Sequence, residues 1–193
     1  MVDKEKLIKD LQRHFYIDGD ISVDDQGQIT VIGNVEYIRK NEPRMPNFQW
    51  QYVSGSFKCR NNKTLQTLLG SPRTVGEGFF CYRNANLLSL EGAPDKVGQQ
   101  FDCTQCPRLV TLDHLPSEIG GEFLITYSST LPVLRGLVAK GGIGFTADGF
   151  APQMGNAEKV ELIINKYKGQ GKMAVFDCQK DLEDAGFPEN ARW

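Results

Sequence analysis

Residues Phe79 to Gly98 read FFCYRNANLLSLEGAPDKVG, and nearly the same wording stands one period upstream and one downstream. The phenylalanines that open the units, Phe57, Phe79, Phe101 and Phe123, are each 22 residues apart, and Phe145 keeps the same register. Aligned on them, the units are FKCRNNKTLQTLLGSPRTVGEG, FFCYRNANLLSLEGAPDKVGQQ and FDCTQCPRLVTLDHLPSEIGGE, followed by the decayed FLITYSSTLPVLRGLVAKGG. The shared skeleton is F-x-C-x-x-N-x-x-L-x-x-L-x-x-x-P-x-x-V-G. Self-similarity at this period means that no unit buries its apolar face alone, so the chain is read as a stacked solenoid rather than a two-layer domain.

Each shared position has a physical role. Phe79 and Cys81 alternate with Phe80 and Tyr82, the period-2 pattern of a short strand with the first pair inward and the second outward. One strand per unit at constant spacing predicts a parallel sheet. Asn62 and Asn84 stand where an amide can bond the turn backbone, and Cys106 takes that phase in the third unit. Leu65 and Leu68, Leu87 and Leu90, Leu109 and Leu112, and Leu131 and Leu134 anchor the return side. Pro72, Pro94 and Pro116 stiffen it. Val75-Gly76, Val97-Gly98 and Ile119-Gly120 add an apolar anchor and a permissive turn before the next strand. One period above Val53, Phe57 and Cys59, the residues Val31, Val35 and Tyr37 keep the inward positions apolar, while Pro43 and Pro46 make the first return leg irregular. About six rungs follow from Val35 to Phe145, with imperfect outer ones serving as caps.

The pattern of Phe79, Cys81, Asn84, Leu87 and Leu90 resembles the leucine-rich repeat, a family in which Cys replaces the turn Asn as it does at Cys106. More narrowly, the wording of Phe79–Gly98 is similar to short leucine-rich-repeat-like proteins of tailed bacteriophages. The resemblance covers about residues 31–145. It departs from the standard repeat in using Phe and Cys for leucine and in a Gly-rich step before each strand. It implies an α/β repeat, a leucine-rich-repeat-like solenoid, and a partner in the infected bacterium, whose defence is inhibited or whose enzyme is regulated. The bacterial cytoplasm would then be the site of action.

Composition narrows the function classes. The chain has 193 residues, 40% of them hydrophobic, and a net charge of −2 from 22 basic and 24 acidic residues, so it is long enough for a core and has no global field for polyanions or anionic lipid. Residues 52–110 carry seven basic and four acidic side chains, too mild an excess for a nucleic-acid footprint. The opening MVDKEKLIKDLQRHF lacks a charged region followed by an apolar one, and no apolar run is long enough to span a bilayer. A cytoplasmic location is expected. Five cysteines, three of them (Cys59, Cys81, Cys103) on the repeat phase, read as core residues in a reducing compartment.

Three domains are expected: residues 1–30 as an N-terminal cap, 31–145 as the solenoid and 146–193 as a C-terminal helical hairpin. In the first, Asp3 caps a helix over Lys4–Phe15 with Leu7, Ile8, Leu11 and Phe15 on one face. A hairpin of Ile17–Val23 and Gln28–Ile32 follows. In the last, Asn156 caps a helix to about Lys168 with Val160, Ile163, Ile164 and Tyr167 as its stripe. Gly169-Gln170-Gly171 interrupts it, and a second helix, Lys172 to Ala185, sets Val175, Cys178, Leu182 and Ala185 on one face. Both helices are expected to pack on the last rung, and Trp193 is either an anchor or an exposed aromatic.

Motifs that suggest chemistry have plainer readings. Cys103-Thr-Gln-Cys106 lacks a second ligand pair for zinc, and His14 and His114 are badly spaced for it. Gly169-Gln-Gly-Lys172 lacks most of a phosphate loop. Asp18, Asp20, Asp24 and Asp25 fail the calcium-loop spacing and read as turn residues. No nucleophile and base are linked by motif, so no enzyme, cofactor or metal is expected. The outward strand positions carry the best signal. They read Glu36 and Ile38, Lys58 and Arg60, Phe80 and Tyr82, Asp102 and Thr104, then Leu124 and Thr126. Central aromatics ringed by charges of both signs suit a protein-binding hot spot. The expected contact residues are Lys58, Arg60, Phe80, Tyr82, Asp102, Thr104 and Thr126, with a protein as partner. A mixed basic and stacking surface for nucleic acid, including Arg83, is the rival, and a virion or assembly component is a further one.

Overall fold

The computed structural model describes residues 2–146 and 154–193. Residues 147–153, at the start of the expected C-terminal unit, lie outside the described residues. The described chain is a parallel-sheet solenoid of about five turns with helices at both ends. Strand β1 (Tyr16–Val23) runs antiparallel to β2 (Ile29–Glu36), and β2 heads two parallel ladders. One ladder continues through β3 (Trp50–Val53), β5 (Thr74–Val75), β7 (Lys96–Val97) and β9 (Glu118–Ile119). The other continues through β4 (Phe57–Lys58), β6 (Phe79–Phe80), β8 (Phe101–Cys103), β10 (Glu122–Thr126) and β11 (Gly142–Thr146). The expectation of one strand per unit is therefore corrected: the Val-Gly step forms a strand of its own, and each coil carries two strands joined at a glycine corner. Stacking demands glycine there, because a Cβ on Gly98 would overlap the carbonyl oxygen of Gly76, and one on Gly120 that of Gly98. Gly19 and Gly33, opposite one another in β1 and β2, take φ of 144° and 146° and let the paired strands bend at the same corner.

The core is a set of columns. Phe57 stacks on Phe79 at 5.5 Å between ring centres and 5° between planes, and Phe79 stacks on Phe101 at 5.3 Å and 13°. Trp50 and Phe15 meet Phe57 from the N-terminal side, and Phe123 tilts by 57° at the other end. Cys59, Cys81 and Cys103, and the paired leucines from Leu65 to Leu134, are buried with them. The register of Phe145 is a second correction. Phe123 pairs with Ile143, 20 residues on, and Phe145 pairs with Ile125. Leu131 and Leu134 are still buried on phase, whereas Ala139 bridges Ile119 at the shorter spacing. The two residues are lost where the return leg folds as a 3-10 turn, Leu134–Val138.

Buried amides tie the coils together at the turn. The Asn84 side chain accepts from the Asn62 N–H at 2.8 Å and donates to the carbonyls of Cys59 and Cys81, each at 2.8 Å. Asn62 repeats this one coil up, accepting from Lys40 N–H and donating to Tyr37. Cys106 keeps a weaker version, its thiol donating to the Cys81 carbonyl at 3.3 Å.

Both ends are covered. Helix α1 (Lys4–His14), capped by Asp3 as its side chain accepts from Lys6 N–H, buries Leu11 and delivers Phe15 to the aromatic cluster. The Asp24 carboxylate accepts from the N–H groups of Gln26 and Gln28 to form the hairpin turn. At the other end, α2 (Met154–Asn165) begins ahead of Asn156, which thus lies within the helix instead of capping it. Val160 and Ile164 face the core. Asn165 both accepts from and donates to the backbone of Ile143, at 2.9 Å each, and Glu161 accepts from Phe145 N–H at 2.8 Å. A helix thereby closes the edge of β11 as a further strand would. A 3-10 turn (Gly171–Ala174) and α3 (Val175–Asp184) follow, with Cys178 and Leu182 buried and Gly186 past the helix end. Lys166 and Tyr167 both bond Asp181, joining the two helices. Asn190, 1% exposed, donates to Ser128 and Leu131 and seals the last turn.

Two outcomes are expected. Asn84→Ala, which strands the Asn62 N–H and the Cys59 carbonyl and leaves the Cys81 carbonyl only the Cys106 thiol, lowers stability by about 3 kcal/mol, while Asn86→Ala, whose amide bonds at the surface, costs less than about 1 kcal/mol; denaturant midpoints decide it. Glu161→Ala with Asn165→Ala leaves the folded signature in circular dichroism but produces concentration-dependent association in sedimentation, because the β11 edge is then bare.

Candidate functional site

The outward positions of the second ladder form one surface. Lys58, Phe80 and Asp102 lie in register on successive coils, as Val35–Phe57, Phe57–Phe79 and Phe79–Phe101 pair directly. Beside them run Arg60, Tyr82, Thr104 and Thr126. Lys58, Arg60, Phe80, Tyr82, Gln100 and Asp102 line a shallow depression of about 430 Å³, so five of the seven expected contact residues converge there. Gln100 was not foreseen, because it ends its unit in the corner where the skeleton fixes no residue.

The side chains differ in how free they are. Phe80 is half-buried, lying over the backbone of Gly78, where a Cβ would strike its ring. Phe80, read as outward, is thus folded back over Gly78 instead of standing free of the coil. Lys58 is held by Glu36 of the preceding coil at 2.9 Å. Two guanidinium groups lie near the Tyr82 ring, Arg60 at 5.6 Å and Arg83 at 6.0 Å from its centre, distances at which a cation is drawn to the ring face. Arg83 also donates through Nε to Gln105 at 2.8 Å.

Asp102 and Thr104 serve the fold more than the surface. Asp102 accepts from both the N–H and the hydroxyl of Thr104, at 2.9 and 2.7 Å, and Thr104 is 8% exposed. Thr104 is therefore withdrawn as a contact residue, its hydroxyl consumed by a local turn. Thr126 is half-buried at the far end and accepts from Gln105 N–H at 2.7 Å. It stands outside the depression.

A row missed in the sequence lies at the end of this sheet. Arg39, Asn61, Arg83 and Gln105, one per coil, take φ of 57°, 60°, 57° and 54°. Only Asn adopts this left-handed conformation with some ease; the others pay for their Cβ. The period was legible but the conformation was not, since no glycine marks it.

A second concave region lies between the last turns and the C-terminal helices, lined by Leu137, Val138, Val175 and Trp193 with Glu118 and Lys140 at its rim. Trp193 is half-exposed, with Arg135 at 5.5 Å from its ring. Met173 and Phe176 are largely exposed, at 88% and 79%.

The thiols give no chemistry at the surface. Burial pushes Cys81 and Cys103 well up from the ordinary thiol range, with neighbouring cysteines adding to it, and raises Cys178 to about 11. Cys103 and Cys106 point to carbonyl oxygens rather than to a shared ligand. Among the described residues no group of three or more His, Cys, Asp or Glu is placed to hold a metal, and no helix is long and apolar enough to cross a membrane. Native protein at pH 8 is expected to leave all five cysteines unmodified by a thiol reagent, with all five reacting once denaturant is added; fast labelling of the native chain would contradict this. No protein-family model, curated protein or solved structure matches the chain.

Proposed function

We propose that this chain is a non-enzymatic recognition protein that binds a partner protein through the outward face of its second strand ladder. The observation that carries this is the half-buried pair Phe80 and Tyr82 on a middle coil, with Lys58 and Arg60 on the coil before and Asp102 on the coil after. Such a site offers an aromatic anchor fixed in place before binding, so little side-chain freedom is lost on contact, and a polar surround that excludes water. A rigid solenoid adds to this by holding contacts from several coils in fixed register. The resemblance to short bacteriophage proteins gives the partner a source: a protein of the bacterial host, whose defence is blocked or whose enzyme is regulated.

The C-terminal helices, with Met173 and Phe176 exposed, offer the other surface. Affinity purification from bacterial lysate separates the two. The wild-type chain is expected to retain a defined partner, Phe80→Ala with Tyr82→Ala to lose it, and Met173→Ala with Phe176→Ala to keep it. The reverse pattern moves the working surface to the helices, and recovery of no partner removes the bacterial-host reading.

A further inference from the structure

We infer that the corner formed by Arg60, Tyr82 and Arg83 binds a carboxylate-rich segment of a partner protein. This rests on the reading of the outward face as a recognition surface and names the chemistry that the surface takes.

Several cations along the coils are neutralised by a carboxylate one coil away. Lys58 pairs with Glu36, Arg73 with Asp95, Arg135 with Asp113 and Lys140 with Glu118. Among the described residues, Arg60 and Arg83 have no ion pair; their guanidinium groups instead lie 5.6 and 6.0 Å from the centre of one tyrosine ring. Two unneutralised guanidinium groups against one ring repel one another, and an anion that both can reach offsets that repulsion. The Nε of Arg83 is committed to Gln105, which leaves its terminal nitrogens as the fork for a carboxylate.

The surroundings extend the same preference. The column of Ile38, Arg60, Tyr82, Thr104 and Thr126 and the left-handed row of Arg39, Asn61, Arg83 and Gln105 hold three arginines and no carboxylate. The two rows are adjacent, since Asn61 N–H donates to Tyr82 and Arg83 N–H to Thr104. Arg83 keeps a side chain at φ 57° where glycine fits without strain. Elsewhere in these coils, at Gly70 and Gly92, the chain does use glycine for a positive φ.

Carboxylates suit this corner better than a phosphate backbone. Glu36 and Asp102 lie on the neighbouring column, and the chain is net negative, so a continuous polyanion meets repulsion on leaving the arginines. A protein segment can set its acidic side chains at the corner and turn neutral or basic ones toward Asp102.

The test is fluorescence anisotropy with a labelled oligoglutamate peptide, and oligothymidylate of matched charge as the competing class, at low and physiological salt. Saturable binding of the peptide is expected, weakened about tenfold by Arg83→Gly and likewise by Arg60→Gln, and unchanged by the exposed control Arg73→Gln. Because glycine relaxes the left-handed backbone, Arg83→Gly is expected to retain or raise the melting temperature, so lost binding cannot be put down to lost fold. Absence of peptide binding at low salt, binding untouched by both arginine substitutions, or tighter binding of oligothymidylate would each overturn the inference. A lysate partner that still depends on Phe80 and Tyr82 when oligoglutamate does not bind defeats this inference alone; peptide binding with no partner on that face defeats the broader reading.

Discussion

Each coil satisfies its backbone by hydrogen-bonding to the next, in register, and every other feature of the structure follows from that constraint. Phe57 N–H reaches the Gly78 carbonyl, Phe79 N–H reaches Gln100, and Cys59 and Cys81 repeat the step two residues on. Register places like on like, and this explains why aromatic rings, thiols, amides and leucines each form columns. It also explains the severity of the corner glycines. Where one backbone lies directly on another there is no room for a methyl group, whatever the neighbouring side chains could concede.

Columns make the two ends the difficult places. A coil in the middle has a neighbour above and below, but β2 and β11 would each present an unpaired edge and an uncovered core. At β2 the chain supplies an antiparallel strand and an aromatic lid from Phe15 and Trp50. At β11 it uses a helix, with Glu161 and Asn165 one turn apart and therefore on one face. The outward-facing β1 is itself an edge, and it carries Asp18 and Asp20 beside a bend at Gly19, features that discourage another strand from joining.

What the sequence revealed is what the columns required. Phe79, Cys81, Asn84, Leu87 and Leu90 could be read as inward because the same chemistry recurs at each step, and Asp3 and Asp24 because capping and turn bonds are local. The second ladder was hidden, since strands as short as Thr74–Val75 and Lys96–Val97 have no alternation to detect. Phe145 misled because residue identity agreed with a period the backbone had abandoned between Leu134 and Ala139. At the surface, the outward direction of Lys58, Phe80 and Tyr82 was legible from the alternation. The fate of the neighbouring polar groups was not: whether Thr104 faces solvent or turns its hydroxyl back to Asp102 depends on a local turn that the Asp-x-Thr spacing alone does not dictate.

The left-handed row shows how the same register makes a surface as well as a core. A turn of this shape recurs on four successive coils because the coils stack, and its outward residue recurs with it. Stability alone would favour glycine or asparagine there, yet Arg39, Arg83 and Gln105 occupy three of the four places. The cost per coil is about 1 kcal/mol, small beside the burial of one phenylalanine at roughly 2 kcal/mol or more, so the stack of Phe57, Phe79, Phe101 and Phe123 leaves the fold able to carry it. The inward column thus supplies the stability that the outward row gives up, and side chains that do nothing for the core can be held in register along the corner.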